Sequence, residues 1–116
     1  MKLRQEARVL KRKALSSLIT ATEAFNSPRD DGRATQVLLH LQHSFEMLLK
    51  AALVQGGRSV FDHKTGRSVG FERCVNLAMG DGTIKLSDPD AGTLRAIDAM
   101  RDDEQHWFNE VSEQLL

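Results

Sequence analysis

The sequence has a single cysteine and no apolar run near the roughly 18 residues that a transmembrane helix requires. Its basic N-terminal segment also lacks the apolar stretch and the small-residue cleavage site of a signal peptide. A lone cysteine excludes an internal disulfide, which agrees with a reducing compartment. These absences predict a cytoplasmic protein without a membrane segment. The length of 116 residues predicts one domain over 1–116, either complete or the N-terminal part of a longer protein.

The lone cysteine, Cys74, lies in the segment FERCVNLAM, which is predicted to be helical. No histidine stands near it in the sequence to activate the thiol as a nucleophile. Cysteine is often buried as a small hydrophobic residue. We therefore expect Cys74 to be structural.

The net charge of zero hides an uneven distribution of charge. Bases outnumber acids in the first thirteen residues, where Glu6 is the single acid and the bases are Lys2, Arg4, Arg8, Lys11, Arg12 and Lys13. Acidic residues dominate from position 88 onward. A basic surface of this kind can bind phosphate groups. The alternative is that both ends are solvated helix faces without a partner.

The spacing of apolar residues predicts at least four helices. The first, over 3–25, carries an apolar stripe at three- and four-residue steps: Leu3, Ala7, Leu10, Ala14, Leu18, Ala21 and Phe25. The second, over 33–55, is apolar over a broad face, which predicts a position at the centre of a bundle or against a partner chain. The third, over 71–79, is short. The fourth begins after Ser87, a residue type that caps helix N-termini well.

Between the second and third helices, the segment GGRSVFDHKTGRSVG breaks the helical period. It contains GRSV twice, on either side of FDHKT. We predict two short strands over 57–69 that form a small β-hairpin. The predicted fold is therefore an all-α bundle of four to five helices with a hairpin insert between helices two and three.

The segment AMRDDEQHWFNE on the last helix combines an arginine with a histidine five residues later, Arg101 and His106. Similar spacings occur at Arg33 and His40 and at Arg58 and His63, so spacing alone does not identify a site. Two aromatic residues, Trp107 and Phe108, follow His106 and are expected to wall a site and anchor the helix. On the second helix, Glu46 and Lys50 are spaced for an ion pair within a very apolar segment.

A helical domain with FEMLLKA on its second helix and RDDEQH on a late helix resembles the HEPN superfamily, the higher eukaryotes and prokaryotes nucleotide-binding domains. The family motif is Arg, often followed by Asn, Asp or His, and then a His four to six residues after the Arg. Arg101, Asp102 and His106 match this motif, and Glu46 and Lys50 match a recurrent pair on the second helix. The resemblance covers about 3–115. Within the superfamily, the chain is most similar to a bacterial branch that carries a hairpin between helices two and three.

The resemblance implies a metal-independent endoribonuclease of a toxin–antitoxin or antiviral defence system, active as a homodimer without a cofactor. Arg101 would bind phosphate with its planar guanidinium, and His106 would act as general acid or base. The substrate would be RNA, because the reaction uses the 2′-OH that DNA lacks. Asp102, Glu46 and Lys50 would support the site. The RNA backbone would contact Arg4, Arg8, Lys11 and Arg12 on the first helix. An antitoxin or a further C-terminal domain would be an additional partner.

The hypothesis requires the side chains of Arg101 and His106 to border one cleft. Five residues on a continuous helix are separated by about 7.5 Å of rise and 140° of rotation. A helix break near 99–100 would place Arg101 in the first turn after it, with Asp102 as a cap, and would let both side chains border one cleft. Asp103 and Glu104 would repel RNA, so we expect them to point away from that cleft.

Three alternatives stay open at the level of sequence. A HEPN domain without catalysis would serve as a dimerisation module or as a nucleotide- or RNA-binding module. A metal-dependent helical-bundle enzyme would use His40, His43 and Glu46, or Asp103 with His106, as ligands. In the third alternative, the motif is a charged helix face with His106 packed on Trp107.

Overall fold

Four helices make up the regular structure of the described residues. A computed structural model describes the backbone of residues 2–115 and the side chains of residues 2–107. The helices are α1 (Gln5–Phe25), α2 (Arg33–Gln55), α3 (Phe71–Gly80) and α4 (Asp88–Leu115). The predicted all-α bundle is confirmed at this level.

Glycine and short polar side chains set most of the helix ends. α2 follows Gly32, whose φ of 73° suits glycine, and it ends at Gly56. Ser87 caps α4 as predicted, because its hydroxyl accepts a hydrogen bond from the Asp90 amide at 3.2 Å. These ends agree with the sequence because each depends on local chemistry.

Small residues bring α1 close to α2. On α1 the buried residues are Ala7, Ala14 and Ala21, which are spaced by one heptad. On α2, Ser44 is buried and donates a hydrogen bond from its hydroxyl to the Ala14 carbonyl at 2.7 Å. Ala51, one heptad further along α2, is also buried. Side chains of this size let two antiparallel backbones approach closely along their whole length.

The stripe predicted for the first helix is only partly buried. Leu18 is 43% exposed and Phe25 is 67% exposed, whereas the three alanines are buried. Within the described part of the chain, α1 packs against α2 and approaches neither α3 nor α4. Among the described residues no other helix lies against the outer face of α1, which is why its larger apolar residues stay exposed.

α2 is the central helix, because α1, α3 and α4 all pack against it. Side chains of α2 and α3 such as Leu53 and Val75 are fully buried in the core that these two helices share with the start of α4. The second helix is thus central, as its broad apolar face predicted.

The predicted β-hairpin over 57–69 is a loop with one isolated antiparallel bridge, between Phe61 and Ser68. The amides of Asp62 and Val69 bond across it to the carbonyls of Arg67 and Val60 at 2.8 Å each. No strand occurs in residues 2–115. The loop does reverse the chain, but too few residues pair to form two strands.

Side chains hold this loop at both ends. The Arg58 Nε donates to the Asp81 carboxylate at 2.6 Å, and Asp81 also accepts the amides of Thr83 and Ile84 at 2.9 Å each. These hydrogen bonds lower the pKa of Asp81 to about 2, with the Ile84 amide contributing most. Asp81 thereby joins the loop to the segment between α3 and α4.

No helix within the described residues combines the length and the hydropathy needed to cross a membrane.

Replacing Ala14 with Leu should destabilise the fold, because a larger side chain cannot fit between α1 and α2 without separating them. We expect a loss of about 1–3 kcal/mol in the free energy of unfolding, measured by urea denaturation. Leu15→Ala is the matched control, since Leu15 is 51% exposed. Equal losses for the two variants would contradict close packing at Ala14.

The Asp81 carboxylate should give the stability a defined pH dependence. Its pKa is lowered in the folded state, so its contribution is complete above the ordinary aspartate value of ~3.9 and is lost as the pH falls towards 2. Asp81→Ala should therefore lower the melting temperature most at neutral pH, with the deficit narrowing below pH 4. A deficit that is independent of pH would show that the charge has no part in it.

Candidate functional site

The helix that carries Arg101 and His106 is continuous from Asp88 to Leu115. The hypothesised break near 99–100 is therefore wrong, and Asp102 lies within the helix instead of capping it. The physical reason is that residues 93–115 contain neither glycine nor proline, so nothing in this segment interrupts the hydrogen-bonded turns.

On this continuous helix, Arg101 and His106 lie about 140° apart around the axis, and Asp102 lies between them. We call this face of α4 the motif arc. The Asp102 side chain is 61% exposed, and His106 is exposed. Within one chain the two side chains therefore leave α4 in different directions and do not converge on one point.

The Arg101 side chain is partly buried at the contact between α4 and α2, with 33% of its surface exposed. Its Nε is buried and has no hydrogen-bond partner among the described residues, whereas Nη1 lies 3.2 Å from the Asp102 Oδ1. An exposed ion pair of this kind is worth at most about 1 kcal/mol. A phosphate could therefore replace the Asp102 carboxylate at the guanidinium at little cost.

A second carboxylate, Asp98, lies one turn before Arg101. It accepts a hydrogen bond from the buried Gln42 amide at 3.3 Å. Burial raises the pKa of Asp98, the charge of Asp102 raises it further, and Gln42 and Arg101 partly oppose this shift. This α2–α4 contact could not be predicted from sequence, because it depends on the register between the two helices.

Asp103 and Glu104 border the motif arc, each about 60° around α4 from one of its end residues. Together with Leu38, Met100 and Trp107 they line a shallow depression of about 530 Å³. The Glu104 carboxylate accepts a hydrogen bond from the Thr35 hydroxyl at 3.0 Å. The Thr35 contact holds the Glu104 carboxylate towards α2, but both acids lie next to the predicted phosphate-binding side and not away from it.

Trp107 does not wall the motif arc. It is 65% exposed and lines the depression on the other side of α4, about 100° around the helix from His106. The ring lies beside Leu38 of α2 in that depression, and most of its surface is exposed. The Phe108 side chain lies outside the described residues.

Glu46 and Lys50 form a structural pair away from the motif. Lys50 is 3% exposed, and its Nζ donates to the Glu46 carboxylate at 2.9 Å and to the Ser68 hydroxyl at 3.1 Å. The pair therefore binds the loop to α2. The hydrogen bonds from α2 to Glu104 and Asp98 show which parts of α2 and α4 lie side by side. Arg101 lies midway between these two acids and therefore beside residues 38–39 of α2, about 11 Å along the α2 axis from Glu46.

Cys74 lies next to this pair, within the core. It has no exposed surface, and burial raises the pKa of its thiol to about 11. A thiol that is buried and protonated at neutral pH is a poor nucleophile. The structural role predicted for Cys74 is confirmed.

The basic residues of the first helix lie towards the other end of the molecule. The Arg4 amide bonds to the Gln55 side chain at the end of α2, whereas Glu104 bonds to Thr35 near its start. Measured parallel to the α2 axis, Arg4 and His106 are therefore about 30 Å apart. Arg8, Lys11 and Arg12 are exposed at intermediate levels on α1, which lies against α2 away from α4. One chain therefore does not place these bases beside the motif arc.

Metal ligands are not clustered in the described part of the chain. No group of three or more His, Cys, Asp or Glu side chains lies close enough to bind one ion there. His40 instead lies 3.2 Å from the Gln36 side-chain oxygen, and His43 is exposed. The metal-dependent alternative therefore has no ligand set among these residues.

Replacing Lys50 with Met should test the structural role of the Glu46–Lys50 pair, because the change leaves a partly buried carboxylate without its cation. We expect a loss of about 3 kcal/mol in the free energy of unfolding. Adding Glu46→Gln should recover part of this loss, giving a non-additive double-mutant cycle in urea. Additive losses would indicate that the two side chains act independently.

The comparisons with known proteins supply no relative for this chain. No protein-family model matches it, and neither a curated protein nor a solved structure does. The resemblance to HEPN domains therefore depends on the motifs quoted above, and the helical architecture is compatible with it.

Proposed function

We propose that the chain is a metal-independent endoribonuclease of HEPN type that acts as a homodimer, in a bacterial toxin–antitoxin or antiviral defence system. The observation that supports this most directly is the motif arc. Arg101, Asp102 and His106 follow one another around an accessible face of α4, and Arg101 is packed against α2 by its buried Nε. A packed arginine stem with an accessible guanidinium is a suitable phosphate-binding group.

Two copies of the chain are necessary for this chemistry. A single α4 directs Arg101 and His106 about 140° apart, so one phosphate cannot contact both side chains of one chain. A twofold axis close to α4 would bring Arg101 of one protomer towards His106 of its partner.

In the proposed reaction, the RNA 2′-OH attacks the adjacent phosphorus and the 5′-oxygen leaves. Arg101 would stabilise the negative charge that develops on the phosphoryl oxygens. His106 of the partner protomer would accept the proton of the 2′-OH, and the imidazolium that forms, or a water molecule, would donate a proton to the leaving 5′-oxygen. The products would be a 2′,3′-cyclic phosphate and a free 5′-hydroxyl.

The second candidate function is RNA binding without cleavage. The 140° separation of Arg101 and His106 in one chain favours it, as does the distance between the motif arc and the bases of α1. In that case the motif would bind phosphate but would not transfer protons.

Cleavage of a mixed tRNA and mRNA substrate in EDTA tests the proposal. Wild type should cleave, and Arg101→Ala and His106→Ala should each lose at least about 100-fold in rate, because each removes a group that acts in the transition state. His43→Ala is the matched control, an exposed histidine on α2. Circular dichroism would confirm that all variants fold. Cleavage that persists in His106→Ala would contradict the proposal.

Mixing the two inactive variants separates a shared site from a site within one chain. A heterodimer of Arg101→Ala and His106→Ala protomers retains one site with an intact arginine and an intact histidine from different chains. Measurable recovery of cleavage would support the shared site. Binding of RNA without cleavage by wild type would favour the second candidate function.

A further inference from the structure

A second basic surface lies far from the motif arc, between the loop at 56–70 and α3. It surrounds a depression of about 430 Å³, which we call the loop cleft. Its polar lining includes His63, Lys64 and Arg73, and its apolar lining includes Phe61. A cleft of this volume is large enough for a nucleotide-sized ligand.

The cations of the loop cleft are not neutralised by nearby acids. Lys64 and Arg73 are exposed, and neither forms an ion pair within the described residues. The lining includes one carboxylate, Asp62, whose Oδ1 accepts the Lys64 amide at 2.8 Å within a turn. The other arginine at the base of the loop, Arg58, is bound to Asp81. The cleft therefore has an excess of positive charge that can attract an anion.

Phe61 adds an aromatic surface to this charge. Its side chain is 55% exposed, although the backbone on either side of it is well fixed. The Phe61 amide bonds to the Ser59 hydroxyl at 3.2 Å, and Val60 next to it is buried. Phe61 also borders the groove between the loop and α1, which contains Arg4. An exposed aromatic ring beside unpaired cations is the combination that binds a base and its phosphate together.

The loop is held in place before any ligand binds. Lys50 binds Ser68 from α2, Asp81 binds Arg58, and two backbone hydrogen bonds cross the loop. Gly66, at the turn, has a φ of 70° that other residues adopt at a cost. Preorganisation of this kind reduces the entropy lost on binding.

We propose that the loop cleft binds a nucleotide, with the base stacked on Phe61 and the phosphate bound by Lys64 and Arg73. The nucleotide is either free or part of a single-stranded RNA that continues towards Arg4 on α1. The site uses neither Arg101 nor His106, so it does not depend on the proposed ribonuclease activity.

Fluorescence anisotropy with a labelled 2′-O-methyl oligouridine tests the site with an RNA that the proposed reaction cannot cleave. We expect Phe61→Leu to weaken binding about fivefold or more, because stacking of a base is lost. The double change Lys64→Gln and Arg73→Gln should weaken it at least about tenfold and reduce the slope of log K against log salt by about 1.4. Arg29→Gln, an exposed arginine in the loop before α2, is the matched control and should bind like wild type.

Titration of the ¹⁵N-labelled chain with AMP, UMP or inorganic phosphate distinguishes the sources of the ligand. Amide shifts in residues 59–73 with a mononucleotide would identify a site for a free nucleotide, and shifts with the oligonucleotide alone would identify a strand-binding site. Both results support the proposal. Equal shifts with phosphate alone, or binding unchanged by both loop variants, would overturn it. Because the Arg101→Ala and His106→Ala variants should bind normally in the loop cleft, failure of cleavage and failure of this site are separate results.

Discussion

The close antiparallel packing of α1 on α2 is the contact from which the rest of the arrangement follows. It depends on small side chains at heptad spacing, Ala7, Ala14 and Ala21, and on the Ser44 hydroxyl that bonds to the Ala14 carbonyl. Because these residues use the face of α1 that points to α2, the larger residues of α1 are left on its outer side. α2 keeps its remaining faces for α3 and α4, so one helix organises the whole bundle.

This arrangement also separates the charges of the molecule. The antiparallel pairing places the basic start of α1 beside the end of α2, and the α2–α4 contacts place the acidic motif helix towards the start of α2. The loop at 56–70 adds Lys64 to the basic end, and α3 adds Arg73. A chain with zero net charge therefore has an excess of bases at one end of its described part and an excess of acids at the other.

The helices could be predicted because residues at their ends mark where they begin and end. Contacts between distant segments have no such local signal in the sequence and could not be predicted. The ends of α2 and the cap of α4 depend on glycine and serine, which sequence alone identifies. The exposure of Phe25 and Trp107 could not be predicted, because the sequence does not show whether a neighbouring helix covers an apolar residue. The Gln42–Asp98 and Lys50–Ser68 contacts depend on the register between distant segments. The motif residues could be proposed from sequence. The directions of their side chains depend on α4 being continuous, which is seen in the structure.

The rigidity of α4 constrains any chemistry at the motif arc. Residues 93–115 of α4 contain neither glycine nor proline, and turning Arg101 and His106 towards each other through 140° would break several backbone hydrogen bonds. Rotamer changes of the Arg101 side chain are also restricted, because its Nε is buried. In the proposed reaction, a monomer would therefore not place His106 on the phosphate that its own Arg101 binds. Cleavage by this motif would need the histidine of a second chain, and a strictly monomeric protein would leave the arc as a proposed binding surface.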